Sequence, residues 1–136
     1  MKSKMTSIIL LITIVVAVAS LAFTKRQAKP WAVPDKASKM ANPVKADAAS
    51  VKEGSATWAK HCQSCHGKTG KGDGSKSGGL KTHPGDFSAA ATQSQTDGAL
   101  FYKISEGRDE MPSFKKKLPD ADEIWNVVNY MRSLKK

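Results

Sequence analysis

A glycine-rich stretch at residues 67–85 most constrains how this chain can fold, since it holds seven of the ten glycines. Glycines at this density are typical of loops rather than of helices or strands. The part of the sequence that looks folded, residues 47–136, has 90 residues, so loop takes up much of it. A domain of this size with so much loop buries little apolar surface. We therefore expect a disulfide, a metal or a cofactor at its centre.

Helical periodicity marks three segments of residues 47–136, and no run alternates as a half-buried strand does. The first segment begins with Ser50-Val51-Lys52-Glu53, which has the spacing of a capping box. A short middle helix is predicted over residues 97–105, with Gly107 just beyond its end. The sequence therefore predicts an all-α domain without internal repeats.

The last predicted helix has the clearest pattern. Pro119 and Asp120 precede it, and Asp120 with Glu123 repeats the capping spacing. Trp125 and Tyr130 widen its apolar face. That face consists of Ile124, Val127, Val128, Met131 and Leu134. A stripe of this width predicts a heavily buried helix.

The first 46 residues do not resemble part of a core. Lys2 and Lys4 precede an apolar run at residues 8–23, which is the layout of an export signal. The 16 residues of this run fall between the length of a signal core and that of a membrane span. Residues 1–23 thus fit either a cleaved signal peptide or a retained membrane anchor. Residues 24–46, rich in Ala, Lys and Pro, are predicted to form a flexible linker to the domain at 47–136.

The net charge of +10 is carried mostly by these first 46 residues. They hold eight Lys or Arg and one Asp, a balance of +7, whereas residues 47–136 have a balance of only +3. No basic stripe interleaved with aromatic residues accompanies the charge. A nucleic-acid partner is therefore not predicted.

The two cysteines of the chain stand directly before a histidine in Cys62-Gln63-Ser64-Cys65-His66. Cys-x-x-Cys-His is the attachment signature of c-type haem. Two thiols at this spacing add to the two vinyl groups of the porphyrin, and the adjoining imidazole becomes an axial ligand of the iron. One covalently bound haem would also supply the apolar centre that this domain lacks.

Three other interpretations of the cysteine pair explain less. A structural zinc site would combine the thiols with His61, His66 or His83, but these histidines offer no second ligand pair at suitable spacing. A thioredoxin-like redox pair needs a βαβ context that the sequence lacks. A disulfide between cysteines three positions apart would constrain almost no loop.

Methionine is a regular second axial ligand beside histidine in cytochromes c, and the folded part contains Met111 and Met131. Met131 falls on the stripe of the last helix, where a methionine usually fills core space. Met111 lies in the loop Glu110-Met111-Pro112-Ser113-Phe114. A loop residue can approach the haem face opposite His66 without bending a helix, which makes Met111 the better candidate.

With these residues in place, residues 47–134 resemble a class I c-type cytochrome. Gly54 and Trp58 are similar to the glycine and the aromatic residue that let the family's first helix cross the last closely, at positions like Val127 and Tyr130. Gly67-x-x-Gly70-x-Gly72-Asp73-Gly74 resembles the loop that follows the haem motif in many bacterial members. The resemblance implies the cytochrome c fold, with three to five short helices around one haem c and an N-terminal export or anchor segment.

The same resemblance implies roles for individual residues. Cys62 and Cys65 would bind the haem covalently, and His66 would ligate its iron. Met111-Pro112-x-Phe114 is similar to the family's distal ligand loop, so Met111 would supply sulfur to the iron. The carbonyl of Pro84 would accept a hydrogen bond from the proximal imidazole. His83 fits less well as a ligand, because it would leave the Met111 loop without a purpose.

The function implied is outer-sphere electron transfer between Fe(II) and Fe(III), not an enzymatic reaction. The protein would serve respiratory redox partners in the periplasm or, anchored through residues 8–23, at the outer face of the cytoplasmic membrane. One alternative is a cytochrome c subunit or electron-entry module of a larger membrane oxidoreductase or oxidase. A haem sensor or peroxidase fits less well, since distal acid–base residues are missing.

Lysines near the haem motif and after the Met111 loop have two interpretations of equal weight. They would either steer an acidic redox partner or simply keep the domain soluble. These residues are Lys60, Lys68, Lys71, Lys76, Lys81, Lys115, Lys116 and Lys117.

Overall fold

Six α-helices and one 3-10 turn make up the regular structure of residues 30–136, the part of the chain that the computed structural model describes. They follow in the order α1 (Asp35–Ser38), α2 (Ala48–His61), α3 (Gln63–His66), the 3-10 turn (Ser77–Gly79), α4 (Ala90–Gln93), α5 (Asp97–Glu106) and α6 (Ala121–Ser133). No strand occurs within residues 30–136, so the predicted all-α class is confirmed. The predicted export or anchor segment at residues 1–23 lies outside the described residues.

Helix α2 begins one turn earlier than its sequence pattern predicts. Its N-cap is Asp47, whose side chain accepts a hydrogen bond from the Ser50 backbone N–H at 3.0 Å. The capping box predicted at Ser50 is therefore wrong. The hydroxyl of the buried Ser50 instead donates to Asn126 Oδ1 at 2.6 Å, which joins α2 to α6.

Helix α5 ends as its sequence predicts. Its N-cap Thr96 accepts from the Ala99 N–H at 3.2 Å, and Gly107 follows its last residue with φ of 69°. Only glycine adopts such a backbone angle without steric cost, so this residue stops the helix and turns the chain.

Helix α6 confirms the predicted apolar stripe. Its N-cap Asp120 accepts from the Asp122 N–H at 3.0 Å. Five residues of this face are nearly inaccessible, namely Ile124, Trp125, Val127, Val128 and Met131, whereas Tyr130 and Leu134 are half-buried. With partners from α2, α5 and the 114–118 loop, the five buried residues form the core of the domain.

Helices α2 and α6 cross at close range. A Cβ atom at Gly54 would overlap the backbone carbonyl of Asn126 and touch Tyr130 Cβ. The predicted close crossing is thus present, although Asn126 rather than Val127 meets the glycine. The crossing matters for the site, because α2 leads directly into Cys62.

The segment predicted as a flexible linker contacts the domain from about residue 37 onward. Ala32–Lys136 forms one compact unit, and within it Thr96 Oγ1 donates to the Ser38 carbonyl at 2.7 Å. Asn42 Nδ2 donates to Asn129 Oδ1 at 2.8 Å, and Asn129 Nδ2 donates to the Val44 carbonyl at 3.2 Å. Polar and backbone groups make these contacts, which is why no apolar periodicity marks them in the sequence.

Arg132 near the end of α6 binds the first residue of α5 and the last residue of α4. Its guanidinium donates to Asp97 Oδ1 from Nε at 2.8 Å and from Nη2 at 2.6 Å, and to the Gln93 carbonyl at 2.9 Å. Such a planar fork satisfies several acceptors at once. Helices α5 and α6 therefore keep a fixed relation beside the core.

Candidate cofactor site

The Cys-x-x-Cys-His motif folds into a single turn at the end of α2. Cys62 closes α2, with its N–H donating to the Trp58 carbonyl at 2.8 Å. Helix α3 then begins, and the His66 N–H donates back to the Cys62 carbonyl at 3.0 Å. Two thiols and one imidazole are thus carried on about one helical turn, which is the arrangement that attachment to one porphyrin edge requires.

The glycine-rich loop satisfies the carbonyls at the end of this turn, which would otherwise lack partners. Gly72 N–H donates to the His66 carbonyl at 2.9 Å, and Gly74 N–H donates to the Cys65 carbonyl at 3.3 Å. A Cβ atom at Gly74 would overlap the backbone of Ser64. Glycine is therefore required here because the loop approaches the motif so closely.

The imidazole of His66 lies against two aromatic rings. Its ring centroid is 4.9 Å from that of Phe87 and 5.6 Å from that of Trp58. The sequence pattern had given Phe87 no role. The sequence feature that could have indicated a role for Phe87 is the position of a large apolar residue soon after Pro84-Gly85, where the glycine-rich loop ends.

Atom Nδ1 of His66 is buried and lacks a hydrogen-bond partner among the residues described. Burial lowers the pKa of His66, and the Pro84 backbone carbonyl offsets part of this shift. That carbonyl therefore lies near the ring without meeting the geometry of a formed hydrogen bond. A neutral imidazole is the form that ligates iron, and a backbone carbonyl commonly orients it through the other nitrogen.

Cys62 and Cys65 are free, half-buried thiols. Burial, with a smaller contribution from Cys65, raises the pKa of the Cys62 thiol to about 12. No disulfide joins the pair, so both sulfur atoms are available for covalent attachment.

Met111 lies in a tightly closed turn after α5. Arg108 N–H donates to the Met111 carbonyl at 2.8 Å, and Met111 N–H donates to the Arg108 carbonyl at 2.9 Å. Asp109 between them has φ of 52°, a left-handed angle that Asp tolerates better than most residues. Ser113 Oγ adds a bond to the Ser105 carbonyl at 2.6 Å. These hydrogen bonds restrain the backbone of the loop that carries Met111.

The structure brings most of the predicted site residues to one core. Cys62 and Met111, both half-buried, pack against the same apolar cluster, and Trp58 of that cluster contacts His66. Met131 is 3% exposed within α6, as expected of core filler. The axial role of Met111 and the orienting role of Pro84 stay predictions.

These residues fit a covalently bound haem. Two free thiols stand at the required spacing on one turn, and the adjoining histidine has its Nδ1 buried and unbonded. Apolar and aromatic side chains surround them, as an apolar porphyrin plate requires.

Comparison with known families supports haem over the other interpretations of the cysteine pair. The family model described as Cytochrome C oxidase, cbb3-type, subunit III, matches residues 49–131. The chain belongs to this family. It is therefore a c-type cytochrome and an electron-transfer haem protein with covalently bound haem c. Cys62 and Cys65 of this cytochrome are positioned as the family's Cys-x-x-Cys-His motif requires.

A solved structure shares the fold. A chain of the reducing HAO-like protein complex of Kuenenia stuttgartiensis aligns with a TM-score of 0.61 and 24% sequence identity, over 85% of the cytochrome and 54% of that chain. The cytochrome thus spans about half the length of that chain. At this identity the similarity shows the fold alone. No curated protein matches the sequence.

Proposed function

We propose that this cytochrome carries single electrons between redox partner proteins without binding a substrate at its iron. The observation that carries the proposal is the state of His66, an imidazole with Nδ1 buried near Pro84 and with Trp58 and Phe87 against its ring. An imidazole restrained in this way is suited to fixed ligation on one side of the iron, and Met111, which packs against the same core, is our candidate for the other side.

Each residue of the site then has a distinct task. Cys62 and Cys65 hold haem c, which supplies a one-electron Fe(III)/Fe(II) couple when bound. His66 would ligate the iron and Met111 would be its second ligand, so that small molecules would find no open position. Backbone hydrogen bonds restrain both the motif turn and the Met111 turn. We expect this preorganisation to keep structural change during electron transfer small.

The lysines of the glycine-rich loop favour an acidic partner more than the later lysines do. Lys68, Lys71, Lys76 and Lys81 are all exposed. In the second group, by contrast, Lys115 pairs with Glu106 and Lys117 lies 5.5 Å from the centre of the Phe114 ring. Charge near the haem motif raises association rates with a partner of opposite charge.

We propose an extracytoplasmic location for the domain. The basic start and apolar run of residues 1–23 support export, and both cleavage and retention fit. Within residues 30–136 no helix is long and apolar enough to span a membrane.

We also propose that residues 47–136 form the haem domain, and that residues 32–46 are an extension packed on it rather than a free linker.

A second candidate function is that of a haem subunit within a larger oxidoreductase. The name of the matching family refers to an oxidase subunit, and the similar solved chain belongs to a protein complex. The size of the native protein, measured after mild detergent extraction, separates the two. The mass of one chain plus one haem supports a single carrier, where the chain has 14.6 kDa if residues 1–23 are retained and less if they are cleaved. A stable larger assembly supports a subunit.

Carbon monoxide binding tests whether the iron has two protein ligands. We expect the spectrum of the reduced holoprotein to stay unchanged when carbon monoxide is added, since His66 and Met111 would occupy both axial positions. The variant Met111→Ala opens one position and should bind the gas readily. Binding by the unaltered protein as strong as by Met111→Ala would contradict the proposal and favour a sensor or an enzyme.

A further inference from the structure

The side chain of Glu110, next to Met111, links two loops that are distant in the sequence. Its Oε2 accepts hydrogen bonds from the backbone N–H of Lys81 at 2.8 Å and of Thr82 at 3.3 Å. Neither donor belongs to a helix. A carboxylate that accepts two backbone N–H groups makes charge-assisted hydrogen bonds, which are stronger than neutral ones.

Glu110 and Met111 belong to the same hydrogen-bonded turn. Glu110 lies inside the turn that the paired Arg108 and Met111 backbone bonds close. Gly107 lies so close to the 111–113 backbone that a Cβ atom there would overlap it. Glu110 and Met111 are adjacent residues of one hydrogen-bonded turn, so a restraint on Glu110 should also restrain Met111.

The two residues that donate to Glu110, Lys81 and Thr82, belong to the segment that packs against His66. Lys81 and Thr82 stand three and two residues before Pro84, and Phe87 at the end of this segment packs against the His66 ring at 4.9 Å between centroids. Gly70 accepts from the Phe87 N–H at 2.7 Å, which fixes the far end of the same segment. Glu110 thus joins the loop with the predicted sulfur ligand to the loop with the predicted orienting carbonyl.

We propose that Glu110 is a positioning residue, which keeps Met111 on the iron by fastening its loop to the backbone at Lys81 and Thr82. The inference rests on the proposed axial ligation by His66 and Met111. Without the fastening, the Met111 loop opens more often, so an external ligand replaces the sulfur more readily.

Imidazole binding to the ferric holoprotein tests this proposal. We expect Glu110→Ala to bind imidazole about fivefold more tightly than the unaltered protein, the change that loss of one hydrogen bond produces. Glu110→Gln keeps an acceptor oxygen and should lie closer to the unaltered protein. The matched control is Glu53→Ala, which removes an exposed carboxylate from α2 and should leave imidazole binding unchanged.

Two outcomes would overturn the inference. One is a Glu110→Ala affinity equal to that of Glu53→Ala. The other is a Glu110→Gln variant that binds imidazole as tightly as Glu110→Ala, which would show that an acceptor oxygen at this position does not hold the loop. The variant Met111→Ala distinguishes a wrong role for Glu110 from a wrong assignment of Met111 as iron ligand. If the unaltered protein already binds imidazole as tightly as Met111→Ala, the ligation itself is wrong.

Discussion

The indole Nε1 of Trp58 donates a hydrogen bond to the backbone carbonyl of Gly67 at 3.0 Å. The same ring contacts the rings of His66, Phe87 and Tyr130, with centroid separations of 5.4–5.6 Å. One side chain of α2 therefore joins the motif turn, the glycine-rich loop and α6. These contacts explain how the position of His66 is restrained in a domain that contains so much loop.

Trp58→Phe should destabilise the holoprotein while leaving haem attached. Phenylalanine keeps an aromatic ring but removes the indole donor to the Gly67 carbonyl, which keeps only the longer bond from the Gly70 N–H at 3.3 Å. Loss of such a hydrogen bond costs about 1 kcal/mol beyond the loss of ring volume. Trp125→Phe is the matched control, because Trp125 is equally buried but stacks on Phe101. Denaturant unfolding followed by the haem absorbance compares the two. Equal losses in both variants would contradict the role of the hydrogen bond.

Gly54→Ala should weaken the crossing of α2 with α6. The added methyl group overlaps the Asn126 carbonyl, and overpacking of this kind costs about 1–3 kcal/mol. Gly79→Ala is the control, since nothing lies within 4 Å of a Cβ atom at that position. We expect a lower unfolding midpoint for the first variant alone. An unchanged midpoint for Gly54→Ala would show that the helices cross less closely than the structure has them.

Asn42→Ala should release the segment before α2. Asn42 donates to Asn129 Oδ1 and accepts from the Val44 N–H at 2.9 Å, so the substitution removes both bonds. We expect trypsin to cut at Lys39 and Lys45 about fivefold faster, the effect of losing about 1 kcal/mol of local stability. Ala41→Ser, at an exposed neighbouring position, should be cut as slowly as the unaltered protein. Rapid cutting of the unaltered protein would instead support a free linker.

The sequence predicted the parts of the fold that depend on apolar spacing. Helix α6 was predictable because its stripe recurs at helical intervals and Asp120 caps it. The cap of α2 was missed because Asp47 and Ser50 stand at adjacent turns and both suit an N-cap, and only the packing against Asn126 decides between them.

Long-range polar contacts were beyond prediction. The bond from Asn42 to Asn129 joins residues 87 positions apart, and that from Lys81 to Glu110 joins residues 29 apart. Neither leaves a periodic trace in the sequence. The attachment motif, in contrast, was readable at once because its chemistry requires two thiols and an imidazole within five consecutive residues.

Ser88→Ala should raise the pKa of the Asp86 carboxyl. In the folded protein the Ser88 hydroxyl, at 2.7 Å, and the Ser88 N–H, at 2.8 Å, hold the pKa of Asp86 below its usual value of 3.8. A depressed folded pKa stabilises the fold above the unfolded pKa, and this contribution is lost as the pH falls through the folded pKa. A carboxyl titration by NMR should show the pKa moving up toward 3.8 in Ser88→Ala. An unchanged pKa would show that the hydroxyl bond is not formed.

Covalent attachment at Cys62 and Cys65 is the central claim, and the intact mass of the native protein tests it most directly. The protein should be produced in cells that attach haem and denatured in acid before the measurement. We predict the mass of one chain, with or without residues 1–23, plus one haem, and we expect the haem to be retained on the peptide that contains residues 62–66. The mass of the bare chain, or a haem that leaves on denaturation, would contradict the account.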